Sequence, residues 1–158
     1  MKAIYAGSFD PVTLGHLDLI RRASFLFDEV VVAVLNNPNK HCLFDAEERK
    51  HHLELVTKDL ENVSVATFSG LLAEFAAQIG ATVAIRGLRN VVDFASEYQM
   101  HVINHQLNPQ IETVFLAADR EHIALSSTNV KEVATFGGSI HGMVPEEIEP
   151  FIIEKYKK

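Results

Sequence analysis

A chain of 158 residues, 47% hydrophobic and 22% charged, has the size and balance of one α/β-sized globular domain spanning 1–158. Its net charge of −7 excludes non-specific grip on nucleic acid, which relies on lysine and arginine neutralising phosphates. One cysteine, Cys42, excludes an internal disulfide. With no secretory signal and no run near the ~20 apolar residues of a membrane span, a cytoplasmic protein without a membrane partner is expected.

The first predicted element is a short strand at 3–6. Gly-Ser-Phe-Asp-Pro-Val-Thr-Leu-Gly-His follows at 7–16 and leads into an amphipathic helix over 17–27. A strand-to-helix turn near the start of an α/β unit is where ligand phosphates are commonly held. Gly7 gives a tight exit and Pro11 a bend. Gly15 keeps bulk from the helix start, and His16 projects beside the helix's positive end. A second strand at 29–35 runs into the turn formers Asn36-Asn37-Pro38-Asn39 and then Lys40, on the expected ligand edge. A helix over 46–59 starts with the capping pair Asp45 and Glu48, and His41, His51 and His52 beside it read as solvated.

A third strand at 63–68 and a helix over 71–79 precede a fourth strand at 82–85, followed by Arg86-Gly87-Leu88-Arg89. Two arginines flanking a glycine at a strand's C-terminal end can fork onto different phosphates. The helix predicted over 91–107 carries His101 and His105 at the spacing of a helical metal pair. Val102 breaks the H-E-x-x-H pattern, so both read as surface or subunit-contact residues. A strand at 111–116, the hydroxyl cluster Ser126-Ser127-Thr128, a helix over 128–136 ended by Gly137-Gly138 and a last helix opened by Pro145 complete the pattern. Apolar strands alternating with helices predict a single Rossmann-like α/β domain: a mostly parallel sheet with helices on both faces and ligands at the strands' C-terminal ends. Neither G-x-x-x-x-G-K-[ST] nor G-x-G-x-x-G is present, so the phosphate grip falls to the GH turn and scattered cations.

The strand, small hydroxyl and GH order resembles the T/HxGH signature of the nucleotidyltransferase superfamily. GSFDPVTLGH, Lys40, RGLR and SSTNVKEVA, in this order and spacing, resemble the bacterial phosphopantetheine adenylyltransferase family over essentially the whole chain. That resemblance implies transfer of the adenylyl group of ATP to 4′-phosphopantetheine, giving dephospho-coenzyme A and pyrophosphate, with Mg²⁺ required and a homohexameric assembly. It implies catalytic roles for His16, Lys40 and Arg89. The ATP side falls to Ser8, Phe9, His16, Gly87, Leu88, Arg89, Glu97, His122, Ile123, Ala124, Leu125, Ser126, Ser127 and Thr128. Ser8, Lys40, Leu72 and Arg86 fall to the acceptor; no protein ligand of the metal is implied. Two positions depart from the family pattern: Ser96 and His122 stand where aromatic residues are common. A nicotinamide-mononucleotide adenylyltransferase shares the GH turn but not RGLR, and a cytidylyltransferase would show R-T-x-G-I-S-T-T. A non-catalytic nucleotide-binding regulator would tolerate losing a cation that is retained here.

Overall fold

In the computed structural model, which describes residues 1–157, five parallel strands lie in the order β3-β2-β1-β4-β5. They are β1 (Lys2–Gly7), β2 (Glu29–Leu35), β3 (Val63–Phe68), β4 (Val83–Leu88) and β5 (Glu112–Ala117). The connecting helices are α1 (Leu14–Leu26), α2 (Ala46–Thr57), α3 (Leu72–Ile79) and α4 (Val91–Leu107), followed by α5 (Ser127–Thr135) and α6 (Glu149–Tyr156). The order reverses between β1 and β4, where a crevice opens at the strands' C-terminal ends.

Side-chain alternation along β1 sorts two apolar layers. Ala3 and Tyr5 join Leu19 and Ile20 of α1, Leu53 of α2, Val130 of α5 and Ile152 of α6 on one face. Ile4 and Ala6 join Ala76 of α3, Ala84 and Ile111 on the other. The predicted α/β architecture with helices on both faces is therefore the observed one, and the sheet is parallel throughout.

Three local readings change. Helix α1 begins at Leu14, ahead of the predicted 17, because Thr13 caps it: the Thr13 hydroxyl accepts from the His16 amide at 3.3 Å. Strand β4 runs on through Arg86, Gly87 and Leu88, which pair with Phe115, Leu116 and Ala117, so RGLR is mostly strand rather than a turn. Pro145 opens a short 3₁₀ turn over Glu146–Ile148, and α6 starts only after it. His52 is a further correction. It is 3% exposed, its ring 4.6 Å from Phe44 and 4.9 Å from Phe151 between centroids, and burial lowers its pKa. His41 and His51 are exposed as expected.

Candidate active site

A cleft of about 340 Å³ occupies the crevice between the ends of β1 and β4. Its floor is Tyr5, Gly7 and Phe9. The Phe9 ring is buried edge-on to Tyr5 and to His16, at centroid separations of 5.4 and 5.1 Å. Phe9 sits at φ 49, an unusual left-handed backbone for an aromatic residue. Gly7 has an ordinary backbone, and what its place demands is room: an added Cβ would lie 3.2 Å from the Phe9 ring. At Gly15 a Cβ would meet His122 and Thr13 only at ordinary contact distances, so glycine there keeps the cleft open rather than relieving a clash.

His16 is held in one tautomer. The Thr13 amide N–H donates to His16 Nδ1 at 3.0 Å, and because that donor is unambiguous, the neutral ring carries its proton on Nε2. Burial, with the Arg89 guanidinium adding to it, pushes the His16 pKa down to about 4. At neutral pH His16 is thus an uncharged Nε2–H donor lining the cleft.

Both arginines of RGLR enter the same cleft, each held by a carboxylate of α4. Arg86 binds Glu97 through Nε–Oε2 and through Nη2–Oε1 at 2.9 Å, and Nη1 donates to the Ala6 carbonyl at 3.3 Å. Burial opposes the Arg86 charge, but Glu97 outweighs it and raises the arginine pKa. Arg89 binds Asp93 through Nε–Oδ2 at 3.1 Å and Nη2–Oδ1 at 3.4 Å, with Nη1 reaching the Leu125 carbonyl. Asp93 in turn takes the Arg89 amide and is capped by Asn90. Tyr5, beneath both, has its hydroxyl pKa raised by burial and by Glu97, against the pull of the two arginines.

The opposite wall is the start of α5. Ser126 caps it through the Asn129 amide at 3.1 Å, and Ser127 Oγ donates to the Pro11 carbonyl at 2.8 Å. Asp10, 3% exposed, fastens the GH loop to two other segments. It accepts from the amides of Leu43 and Phe44 at 2.8 and 3.0 Å and from Lys131 Nζ at 3.2 Å. The starts of α1 and α5 and two arginines give this cleft the chemistry of an anion site.

Of the residues singled out from the sequence, Phe9, His16, Arg86, Gly87, Arg89, Glu97, His122, Leu125, Ser126, Ser127 and Thr128 line the cleft. Ser8 and Lys40 sit beside it and find each other, Lys40 Nζ donating to Ser8 Oγ at 3.0 Å. Leu88 ends β4, Ile123 is exposed, and the Ala124 carbonyl accepts from Asn129 Nδ2; none of the three lines the cleft. Leu72 packs against the smaller apolar layer at the start of α3. His122 turns a buried Nδ1 with no hydrogen-bond partner toward protein. Missed from the sequence were Tyr5 and the parts played by Asp10, Thr13 and Asp93. Thr13 is the hydroxyl of the T/HxGH signature, and the i, i+4 spacing of Arg89 and Asp93 was the signal for that pair.

No group of three or more His, Cys, Asp or Glu side chains among the described residues is arranged to hold a metal ion. His101 and His105 stack at 5.9 Å between ring centroids, and His105 Nδ1 lies 3.2 Å from the Ile111 carbonyl oxygen.

The family model described as cytidylyltransferase-like matches residues 4–133. A phosphopantetheine adenylyltransferase of Clostridium kluyveri is 52% identical over 157 residues, covering 99% of this chain and 96% of that protein. One from Desulfatibacillum aliphaticivorans is 52% identical over 155 residues, covering 98% of this chain and 89% of its own length. Among solved structures, a putative nicotinate-nucleotide adenylyltransferase from Vibrio parahaemolyticus superposes with a TM-score of 0.70 at 19% identity, over 99% of this chain and 96% of that one, a likeness of fold.

Proposed function

The chain belongs to the phosphopantetheine adenylyltransferase family, within the cytidylyltransferase-like group, and on that premise we propose that it joins the adenylyl group of ATP to 4′-phosphopantetheine. The products are dephospho-coenzyme A and pyrophosphate. The observation that carries this reading is the convergence of His16, Arg86, Arg89 and the α5 start on one crevice, with Ser8 and Lys40 at its side.

The acceptor's phosphate monoester, with a second pKa near ~6, is largely dianionic at neutral pH and needs no general base. Its oxygen attacks the α-phosphorus, the bond to the bridging oxygen breaks, and pyrophosphate leaves. Catalysis then rests on alignment and charge neutralisation. His16 offers a neutral Nε2–H to the α-phosphoryl oxygens, Lys40 and Ser8 hold the acceptor phosphate, and Arg89 with the α5 start holds the β,γ-phosphates. Arg86 lies at the boundary between the two substrates. Asp93 and Glu97, the carboxylates of the cleft, are already committed to arginines, so Mg²⁺ would be held through the nucleotide's phosphates rather than by these carboxylates and would supply neutralisation of phosphate charge.

Cytoplasmic residence and a homohexamer belong to the same proposal. Supporting the assembly, α4 leaves Val92, Met100, Ile103 and Leu107 exposed and buries only Asn104. Light scattering is expected to report about six times the 17.6 kDa chain mass, and a monomer at micromolar concentration contradicts it.

The deciding assay follows pyrophosphate release with MgATP and three acceptors: phosphopantetheine, nicotinamide mononucleotide and phosphocholine. Turnover is expected with the first alone. Turnover with either of the others instead overturns the assignment.

A further inference from the structure

Arg49, on α2, is 2% exposed, the most buried charged residue among the described residues. Arg21, Arg22, Arg86 and Arg89 each meet a carboxylate. Arg49 meets carbonyls instead. Its Nε donates to the Phe44 and Asp45 carbonyls at 3.1 and 3.2 Å, and its Nη1 to those of Ser8 and Leu35 at 2.7 and 3.1 Å. No carboxylate pairs with it among the described residues.

Four carbonyl bonds explain a donor at this position, but not a full positive charge. A neutral amide would donate as well, and a desolvated guanidinium without a counter-ion is costly. The charge lies behind the ends of β1 and β2, since Ser8 follows the first strand and Leu35 closes the second. Ser8 is gripped from both sides, by Arg49 on its carbonyl and by Lys40 on its hydroxyl. The missing counter-charge therefore belongs next to Ser8, facing a guanidinium whose own burial leaves its charge poorly screened.

We propose that Arg49 is a positioning residue for the acceptor: it fixes the Ser8 backbone and supplies buried positive charge to a phosphate monoester dianion held at Ser8 and Lys40. This rests on the acceptor reading given above. It predicts that Arg49 contributes to binding the phosphate and not to binding the pantetheine arm or ATP.

The test is calorimetry of the full-length protein with 4′-phosphopantetheine and with pantetheine, which lacks the phosphate, for wild type, Arg49→Gln and Arg49→Lys. ATP KM is measured alongside. For Arg49→Gln, phosphopantetheine affinity is expected to fall about 10-fold or more, with pantetheine affinity and ATP KM within about twofold of wild type. Arg49→Lys is expected to restore most of the preference for the phosphorylated compound. Parallel loss of both compounds, a matching rise in ATP KM, or an unchanged Arg49→Gln protein overturns the proposal. If Arg49→Gln melts below assay temperature, Arg49→Lys decides: a folded variant without phosphate preference overturns it, and one that keeps the preference supports it. Wild type that releases no pyrophosphate with phosphopantetheine overturns the functional reading as well, whereas normal turnover with an indifferent Arg49→Gln removes only the role of Arg49.

Discussion

His16 shows how a backbone amide can decide chemistry. With Nδ1 taken by Thr13 and the pKa near 4, the ring meets developing phosphate charge as a neutral, pre-aimed donor. His16→Ala is expected to lower kcat by about 10²–10³ while weakening ATP binding much less, because Arg89 and the helix starts remain. Near-normal turnover would remove His16 from the mechanism. The two cleft arginines, Arg86 and Arg89, behave differently, since each is tied to a carboxylate. Arg86→Ala strands Glu97 in the cleft as an uncompensated anion, so both ATP and phosphopantetheine should bind more weakly. Adding Glu97→Gln to Arg86→Ala is expected to recover ATP affinity but not acceptor affinity. Calorimetry of both ligands against the single and double variants checks this, and a double variant no better for ATP than the single refutes it.

The elements carry the consequences of caps and crowding. Thr13 caps α1 and orients His16 at once, so Thr13→Ala is expected to cost about 1 kcal/mol of stability and to lower kcat, with Thr13→Ser close to wild type in both. Chemical denaturation and steady-state kinetics of the two variants are the check. The alternation of strands and helices was legible because apolar runs and cap residues recur in register, and α4 spans the predicted 91–107, with Asn90 and Asn108 as its caps in the structure. The end of β4 was not legible: the predicted strand stops at 85, yet β4 runs on to Leu88 with Gly87 close beneath α1, where an added Cβ would lie 2.5 Å from Leu19 Cδ1. His52 and Arg49 sit in the charged run EERKHH, whose one buried face depends on Phe44, Phe151 and the strand ends, partners that periodicity cannot supply. The cleft's GH turn, RGLR and hydroxyl cluster were readable. The carboxylates that hold the arginines, and the floor made by Tyr5, needed the fold.

At the scale of the molecule, buried histidines set an acid limit. His16, near 4, and His52, also lowered, resist protonation when folded, whereas in the unfolded chain they take up protons at the ordinary value of about 6.5. Between those values the unfolded state binds more protons, so stability rises with pH from about 4 to 6.5 and, for these two groups, is level above. Melting temperature is expected to climb across that window, and a His52→Leu variant should show a shallower climb. A variant whose curve parallels wild type would mean that His52 protonation plays no part.

The two ties that close the cleft's far wall, Asp10 to Lys131 and Pro11 to Ser127, join residues separated by 121 and 116 positions. A ribosome delivers the GH turn first and the start of α5 only after all five strands have been made. Until then the growing chain can assemble the crevice but lacks the wall that completes it. Competence to hold a nucleotide on both sides is therefore a late event in synthesis, and such long-range closure is the slow kind. A nascent or truncated product that has folded its sheet should remain blind to ATP. Ligand binding then reports completion of the chain rather than formation of the sheet.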